Sequence, residues 1–166
     1  DTVAELEANA RLFVLGEHYQ ATAGSKLHLD HHLERVIRAV KRPVLVATAE
    51  QFAPPERFVL AYDGSPTALK MVETVARSPM LKGLPALVVM CAADTPAAHA
   101  QLGVAKGLLE EAGFAVETTL LPGNPDHTLP QLPQLQGAAL LVMGAYGHSR
   151  IRHLVIGSTT TTLLRM

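Results

Sequence analysis

Arg57-Phe58-Val59-Leu60-Ala61-Tyr62-Asp63-Gly64-Ser65-Pro66 reads as a strand, a turn and the mouth of a helix in unbroken succession. Its apolar run is continuous rather than alternating, which suits a strand buried on both faces. Asp63-Gly64 closes the strand with turn residues. Ser65 then supplies an N-cap oxygen and Pro66 a first helical position whose missing N–H costs nothing there. Beyond it Ala68, Leu69, Val72, Val75 and Ala76 keep helical spacing.

Outward toward the C-terminus the same grammar recurs. Leu87 to Ala92 is a second buried strand, Thr95-Pro96 repeats the cap and proline, and Ala105, Leu108, Leu109 and Ala112 form the next apolar stripe. Gly113 stands where a left-handed helix end is expected. Phe114 to Leu121 is a third strand and Ala138 to Met143 a fourth, with Pro122-Gly123 turning the chain between them. Pro125 suits a first turn, but Pro130 and Pro133 each remove a backbone bond, so that crossover is expected to be a short or broken helix. Ser158 to Arg165 is expected to begin another helix. Strands alternating with crossovers predict an α/β fold with an open parallel sheet and helices on both faces.

Toward the N-terminus the chain echoes its own last part. Arg11-Leu12-Phe13-Val14-Leu15-Gly16 parallels Ala139-Leu140-Leu141-Val142-Met143-Gly144, and Leu33 to Arg38 parallels Thr160 to Arg165. Gly16 and Gly144 lie 128 positions apart, Arg38 and Arg165 lie 127 apart, and that near-constant offset is the length of one repeated domain. Arg42-Pro43-Val44-Leu45-Val46-Ala47 follows the first copy as a final strand, and Pro54-Pro55 marks a linker. The expected organisation is residues 1–52 as the end of a first, degenerate domain. Residues 53–166 would be a second domain lacking its last strand, whose place Pro43 to Thr48 could fill by folding back.

Composition narrows the classes. Hydrophobic residues make up 48% and charged residues 17%, enough apolar material for a core. A formal net charge of -1 gives no electrostatic case for nucleic acid. No apolar run reaches the ~18–20 residues of a membrane span, no basic n-region opens the chain, and the cytoplasm is the expected location. The single cysteine, Cys91, rules out an internal disulfide and is read as a small buried hydrophobe.

Gly144-Ala145-Tyr146-Gly147, nine further residues, and then Gly157-Ser158 carry the chemistry. The glycines let the backbone turn sharply, with φ > 0 allowed, and approach an anion closely. Gly157-Ser158 opens a helix whose free amides favour phosphate, and Ser158, Thr159 and Thr160 add hydroxyl donors. This places the site beyond the carboxyl ends of the strands.

That spacing resembles the signature of ATP-binding members of the universal stress protein family. Tyr62-Asp63-Gly64-Ser65, Leu33-Glu34-Arg35-Val36 and Lys41-Arg42-Pro43-Val44-Leu45-Val46 are similarly typical, so the resemblance covers nearly the whole chain. It implies a Rossmann-like, adenine-nucleotide α-hydrolase-like sheet of order 3-2-1-4-5, with homodimers or tandem pairs formed through the last strand. It also implies ATP as ligand, with AMP, ADP and a Mg ion left open. Asp63 would then contact the ribose or adenine side, where a carboxylate can accept from ribose hydroxyls. Met90, Cys91 and Ala92 would line the adenine pocket, and Gly144, Gly147, Gly157, Ser158 and Thr159 would hold ribose and phosphates. Tyr62, Gly64, Met143 and His148 complete the candidate set. Tyr62 departs from the smaller residue of many members, and its ring could narrow the adenine slot or stack on it. In the first copy Asp30-His31 stands in place of Gly-Ser, and a carboxylate there would repel phosphate, so that half is expected to bind no nucleotide.

Three functions stay open. The first is a binding or signalling module that holds ATP. The second is an enzyme cleaving ATP slowly, although the loop lacks the Gly-Lys-Ser/Thr ending of a P-loop. The third is a structural or dimerisation domain binding no nucleotide. No catalytic residue is assigned, since Ser65 and Cys91 lack a neighbouring base and orienter in sequence. His28 and His32 stand four apart near Asp30 and could share a metal, but Asp30 as an N-cap would leave His28 outside the helix, and no metal ligand is assigned. His148, Arg150, Arg152 and His153 flank the glycine loop as phosphate donors or plain loop surface.

Overall fold

Apolar residues in the strands alternate between two burial environments, and that alternation sets the architecture. Phe58, Leu60 and Tyr62, Ala86, Val88 and Met90, and Leu140 and Val142 face one core cluster. Val59, Leu87, Val89, Leu141 and Met143 face another. A sheet buried on both faces follows directly from the period-2 geometry of a strand.

The computed structural model describes residues 5–16, 35–37, 39–47, 53–132, 139–144 and 161–165. The strands are β1 (Phe13–Gly16), β2 (Val44–Ala47), β3 (Arg57–Ala61), β4 (Ala86–Cys91), β5 (Val116–Leu121), β6 (Ala139–Gly144) and β7 (Thr161–Arg165). The helices are α1 (Pro66–Ala76), α2 (Pro96–Glu111) and the single turn α3 (Pro125–Thr128), which runs into a 3-10 turn, Leu129–Gln131. The proline-bearing crossover is thus broken, as its sequence predicts. Ser65 and Thr95 cap α1 and α2, each accepting from the backbone N–H three residues on. Gly113, with φ +92°, ends α2 by sending the Phe114 N–H back to the Leu109 carbonyl at 3.0 Å.

Seven strands form one sheet in the order β1-β2-β7-β6-β3-β4-β5. Read from β3 onward, its last five strands have the expected 3-2-1-4-5 order. Helices α1 and α2 cover the first face through Ala68, Met71, Val72, Val75, Ala98, Leu102, Ala105 and Leu109. Ile37, Val40, Leu129 and Leu132 cover the second. All described strand pairs are parallel except one: β2 runs antiparallel to β7, with Leu45 opposite Leu163.

The expected helix over Ser158 to Arg165 is overturned within its described part. Thr161–Arg165 is a strand, paired with β6 on one side and β2 on the other. β7 lies beside β6, and Val44–Ala47 pairs along the other edge of β7. The strand opens on Thr161 and Thr162, the end of a run of four threonines, Thr159 to Thr162, which explains the choice. Their β-branched side chains lose rotamer freedom in a helix and fit a pleated sheet. Residues 35–37, which stand opposite 162–164 in the internal echo, are helical. β1 and β6, matched in the echo, are both strands, while the segments matched after them differ in structure.

Phe58 and Phe114 anchor the first core, with ring centroids 5.6 Å apart and planes at 85°. Phe58 is fully buried. Phe58→Ala is expected to lower unfolding free energy by about 3–5 kcal/mol, measured by urea denaturation. Val104→Ala, on the exposed side of α2, is expected to change it by under ~0.5 kcal/mol.

Candidate functional site

Where β3 stops pairing, its chain turns over the sheet's end. The Tyr62 N–H still donates to the Val89 carbonyl at 2.8 Å, which fixes Tyr62 as the last residue of the ladder. Asp63 then accepts the Ser65 N–H on Oδ1 at 2.9 Å, a local turn that leaves its other oxygen out of that bond. Gly64 sits at φ +75°, a left-handed conformation that L side chains resist. Ser65 Oγ accepts from Ala68 at 3.1 Å and starts α1.

These residues form one wall of a pocket of about 230 Å³. Ala61, Tyr62, Asp63, Ser65, Thr67 and Ala68 come from β3 and α1, Val89 to Ala92 from β4, Met143 and Gly144 from β6, and Pro125 and Leu129 from the broken crossover. The location has a topological cause. From β3 the chain goes to β4 and β5 on one side, then returns to β6 on the other. Crossovers leaving in opposite directions open a crevice at the carboxyl ends of the strands. The volume lies below the ~300–1,000 Å³ of typical ligand sites, so the described walls fit a ring-sized group with its remainder outside.

Charge is sparse here. Among the described residues Asp63 is the one carboxylate in the lining, and it is exposed. Tyr62 is only 5% exposed. Burial, and secondarily the Asp63 carboxylate, push its phenol above the ordinary value of 10.0, so it stays neutral at physiological pH. Burial likewise raises the Cys91 thiol above 9.0. Neither Ser65, engaged as a cap, nor this neutral thiol is an activated nucleophile. Among the described residues no group of three or more His, Cys, Asp or Glu could hold a metal ion. No helix among them is long and apolar enough to cross a membrane.

Of the residues singled out from the sequence, Tyr62, Asp63, Cys91, Met143 and Gly144 line this pocket, with Met90 and Ala92. Gly64 lies beside it in the Asp63–Ser65 turn, where an added Cβ would meet the Gln101 side chain at 2.6 Å. Gly147, His148, Gly157, Ser158 and Thr159 lie outside the described residues, as do His28, Asp30, His31, His32, Arg150, Arg152 and His153. One role changes. Gly144 does not use a positive φ; a Cβ there would meet nothing within 4 Å, so its smallness keeps space open rather than easing a turn. Thr67, Ala68, Pro125 and Leu129 escaped sequence reasoning. The cap at Ser65 was the signal for the first two, since it places the first turn of α1 at a strand's carboxyl end.

Comparison with known proteins adds the family dimension. The sequence profile described as Universal stress protein family matches residues 55–166. A universal stress protein of Synechocystis sp. is 38% identical over 167 residues, covering 99% of this chain and 58% of its own length. A universal stress protein of Methanocaldococcus jannaschii is 25% identical over 57 residues, 34% of this chain and 35% of its own. The chain thus spans little more than half the length of the first of these relatives. Among solved structures, a universal stress protein from Archaeoglobus fulgidus superposes with a TM-score of 0.65 at 19% identity, over 99% of this chain and 65% of its own. Another, a universal stress protein in complex with cAMP, superposes at 0.56 and 22% identity, over 69% of this chain and 98% of its own.

The raised thiol is measurable because Cys91 is the chain's one cysteine. Its alkylation by iodoacetamide is expected to rise with pH through a midpoint above 9.0, the ordinary thiol value. A midpoint at or below that value, read from rate against pH by mass spectrometry, would contradict the burial of the sulfur.

Proposed function

Since this chain belongs to the universal stress protein family, we propose that it is an ATP-binding module. The base sits at the carboxyl ends of β3 and β4, and the phosphates lie over Gly144 and the loop that follows. The observation that carries this is convergence: Tyr62, Asp63, Cys91, Met143 and Gly144, distant in sequence, line one crevice at the switch point of the sheet. The crevice is apolar along β4 and carries a carboxylate at one edge, a layout suited to a base with its ribose. Gly147, His148, Gly157, Ser158 and Thr159 are the proposed partners of ribose and phosphates. That a universal stress protein of the same fold was solved with cAMP is in keeping with an adenine ligand.

A second element belongs to the same proposal. Residues 1–52 contribute the end of one unit and residues 53–166 the next, and the two meet through their last strands. The antiparallel β2–β7 pair, flanked on each side by a parallel pair, supports that pairing. Two units related by a dyad along a shared edge give this pattern.

Gly144→Val offers the sharpest test. The new side chain meets no neighbour at its Cβ, so the fold is expected to survive while the bulk occupies the ligand's space. Titration calorimetry with ATP is expected to show binding in the parent and none in the variant. ATP is also expected to slow alkylation of Cys91, which lines the pocket, in the parent alone. Equal affinities would remove the assignment. Asp63→Asn retains an acceptor for the Ser65 N–H but loses the charge. Its ATP affinity is expected to fall about tenfold, in line with one charge-assisted hydrogen bond, with the denaturation midpoint unchanged.

A further inference from the structure

Tyr62 presents an oddity that the pocket does not by itself resolve. The residue keeps only 5% of its free surface, and it lines the cavity. Its backbone N–H is satisfied by Val89, yet among the described residues no hydrogen bond reaches its hydroxyl. Buried tyrosine hydroxyls ordinarily find a partner, because an unmet one costs desolvation without return. The ring needs no hydroxyl to pack: it joins Phe58, Leu60, Ala68 and Met90 in an apolar cluster that phenylalanine would fill equally well. The hydroxyl belongs to a residue at the wall of a cavity, where a ligand can supply the missing partner.

We infer that Tyr62 is a specificity-determining residue whose hydroxyl donates a hydrogen bond to a ring nitrogen of the bound base. The inference rests on the adenine-nucleotide reading above and deepens it. The chemistry around the phenol selects the partner. Ala68 and Met90 share the Tyr62 face of the sheet, Ala61 and Val89 belong to the other, and together they line the pocket as an apolar slot for a flat ring, not for a phosphate. The adjacent Asp63 carboxylate repels an anion from this end. Because burial holds the phenol protonated, it keeps its proton to donate, and an unprotonated ring nitrogen is the matching acceptor. A base without an acceptor at that position leaves the hydroxyl buried and unmet, and that penalty is the source of discrimination.

Tyr62→Phe in the full chain tests this with two readouts. Urea denaturation of the ligand-free protein is expected to show no loss of stability, since the deleted hydroxyl has no partner among the described residues. Calorimetric ATP affinity is expected to fall about 3- to 10-fold, the range for one neutral hydrogen bond. Ligand-side deletion completes the test. Among ATP analogues with N1, N3 or N7 replaced by carbon, one is expected to bind the parent protein more weakly by a similar factor, and the Tyr62→Phe variant no more weakly than ATP itself. Unchanged ATP affinity in the variant would overturn the inference. So would an affinity loss matched by a loss of ligand-free stability, which would make the hydroxyl a structural group. If every analogue stayed additive with the substitution, the proposed ring-nitrogen partner would be excluded. A parent protein that binds no ATP would instead bring down the nucleotide reading on which this one stands.

Discussion

The pairing of β3 with β4 on one side and β6 on the other is the constraint from which the rest follows. It places β3 at the centre of the five-strand part of the sheet and buries it on both faces. Phe58 and Leu60 must then serve one core, Val59 the other. It also forces the crossovers to leave β3 in opposite directions. A packed sheet cannot close over its own carboxyl end at such a point, so the crevice is a by-product of topology. The pocket residues occupy a place that the core creates without their help.

That dependence explains what the sequence made legible. Continuous apolar runs, capped prolines and Gly113 are local signals, and each states its own structure with little tertiary help. The segments over 57–61, 66–76, 86–91 and 96–111 could be read nearly to the residue for that reason. Thr161–Arg165 failed for the opposite reason. Alternation of strands with crossovers, and Gly157-Ser158 as a helix opening, suggested a helix. The decisive information was non-local: β6 offers an edge on one side and β2 on the other, and a β-branched segment between them satisfies both ladders. No spacing rule within the segment could show that.

The pocket was partly legible on similar grounds. Tyr62, Asp63 and Gly144 stand at strand ends that the apolar runs delimit, so their neighbourhood could be placed before any coordinates. Thr67 and Ala68 enter through the first turn of a helix, and Pro125 and Leu129 through a crossover with weak periodicity. Their presence depends on how the β5–β6 connection folds down on the second face, where Leu129 packs with Val89 and Met143. A broken helix carries too little pattern to reveal which of its side chains turns inward.

Position 62 shows how a fold and a site divide the demands on one residue. Its main chain closes the β3–β4 ladder, so the backbone there cannot change without loosening the core. Its ring fills apolar space against α1 and β4, a requirement that several residue types meet. Only the hydroxyl is left without a structural task among the described residues. One residue later Asp63 has passed the ladder, and its side chain holds the turn through a single oxygen. Across the sheet's end Gly144 contributes emptiness rather than conformation. Chemistry therefore collects where the period-2 alternation runs out, because only there can a side chain be changed without asking the sheet to repack.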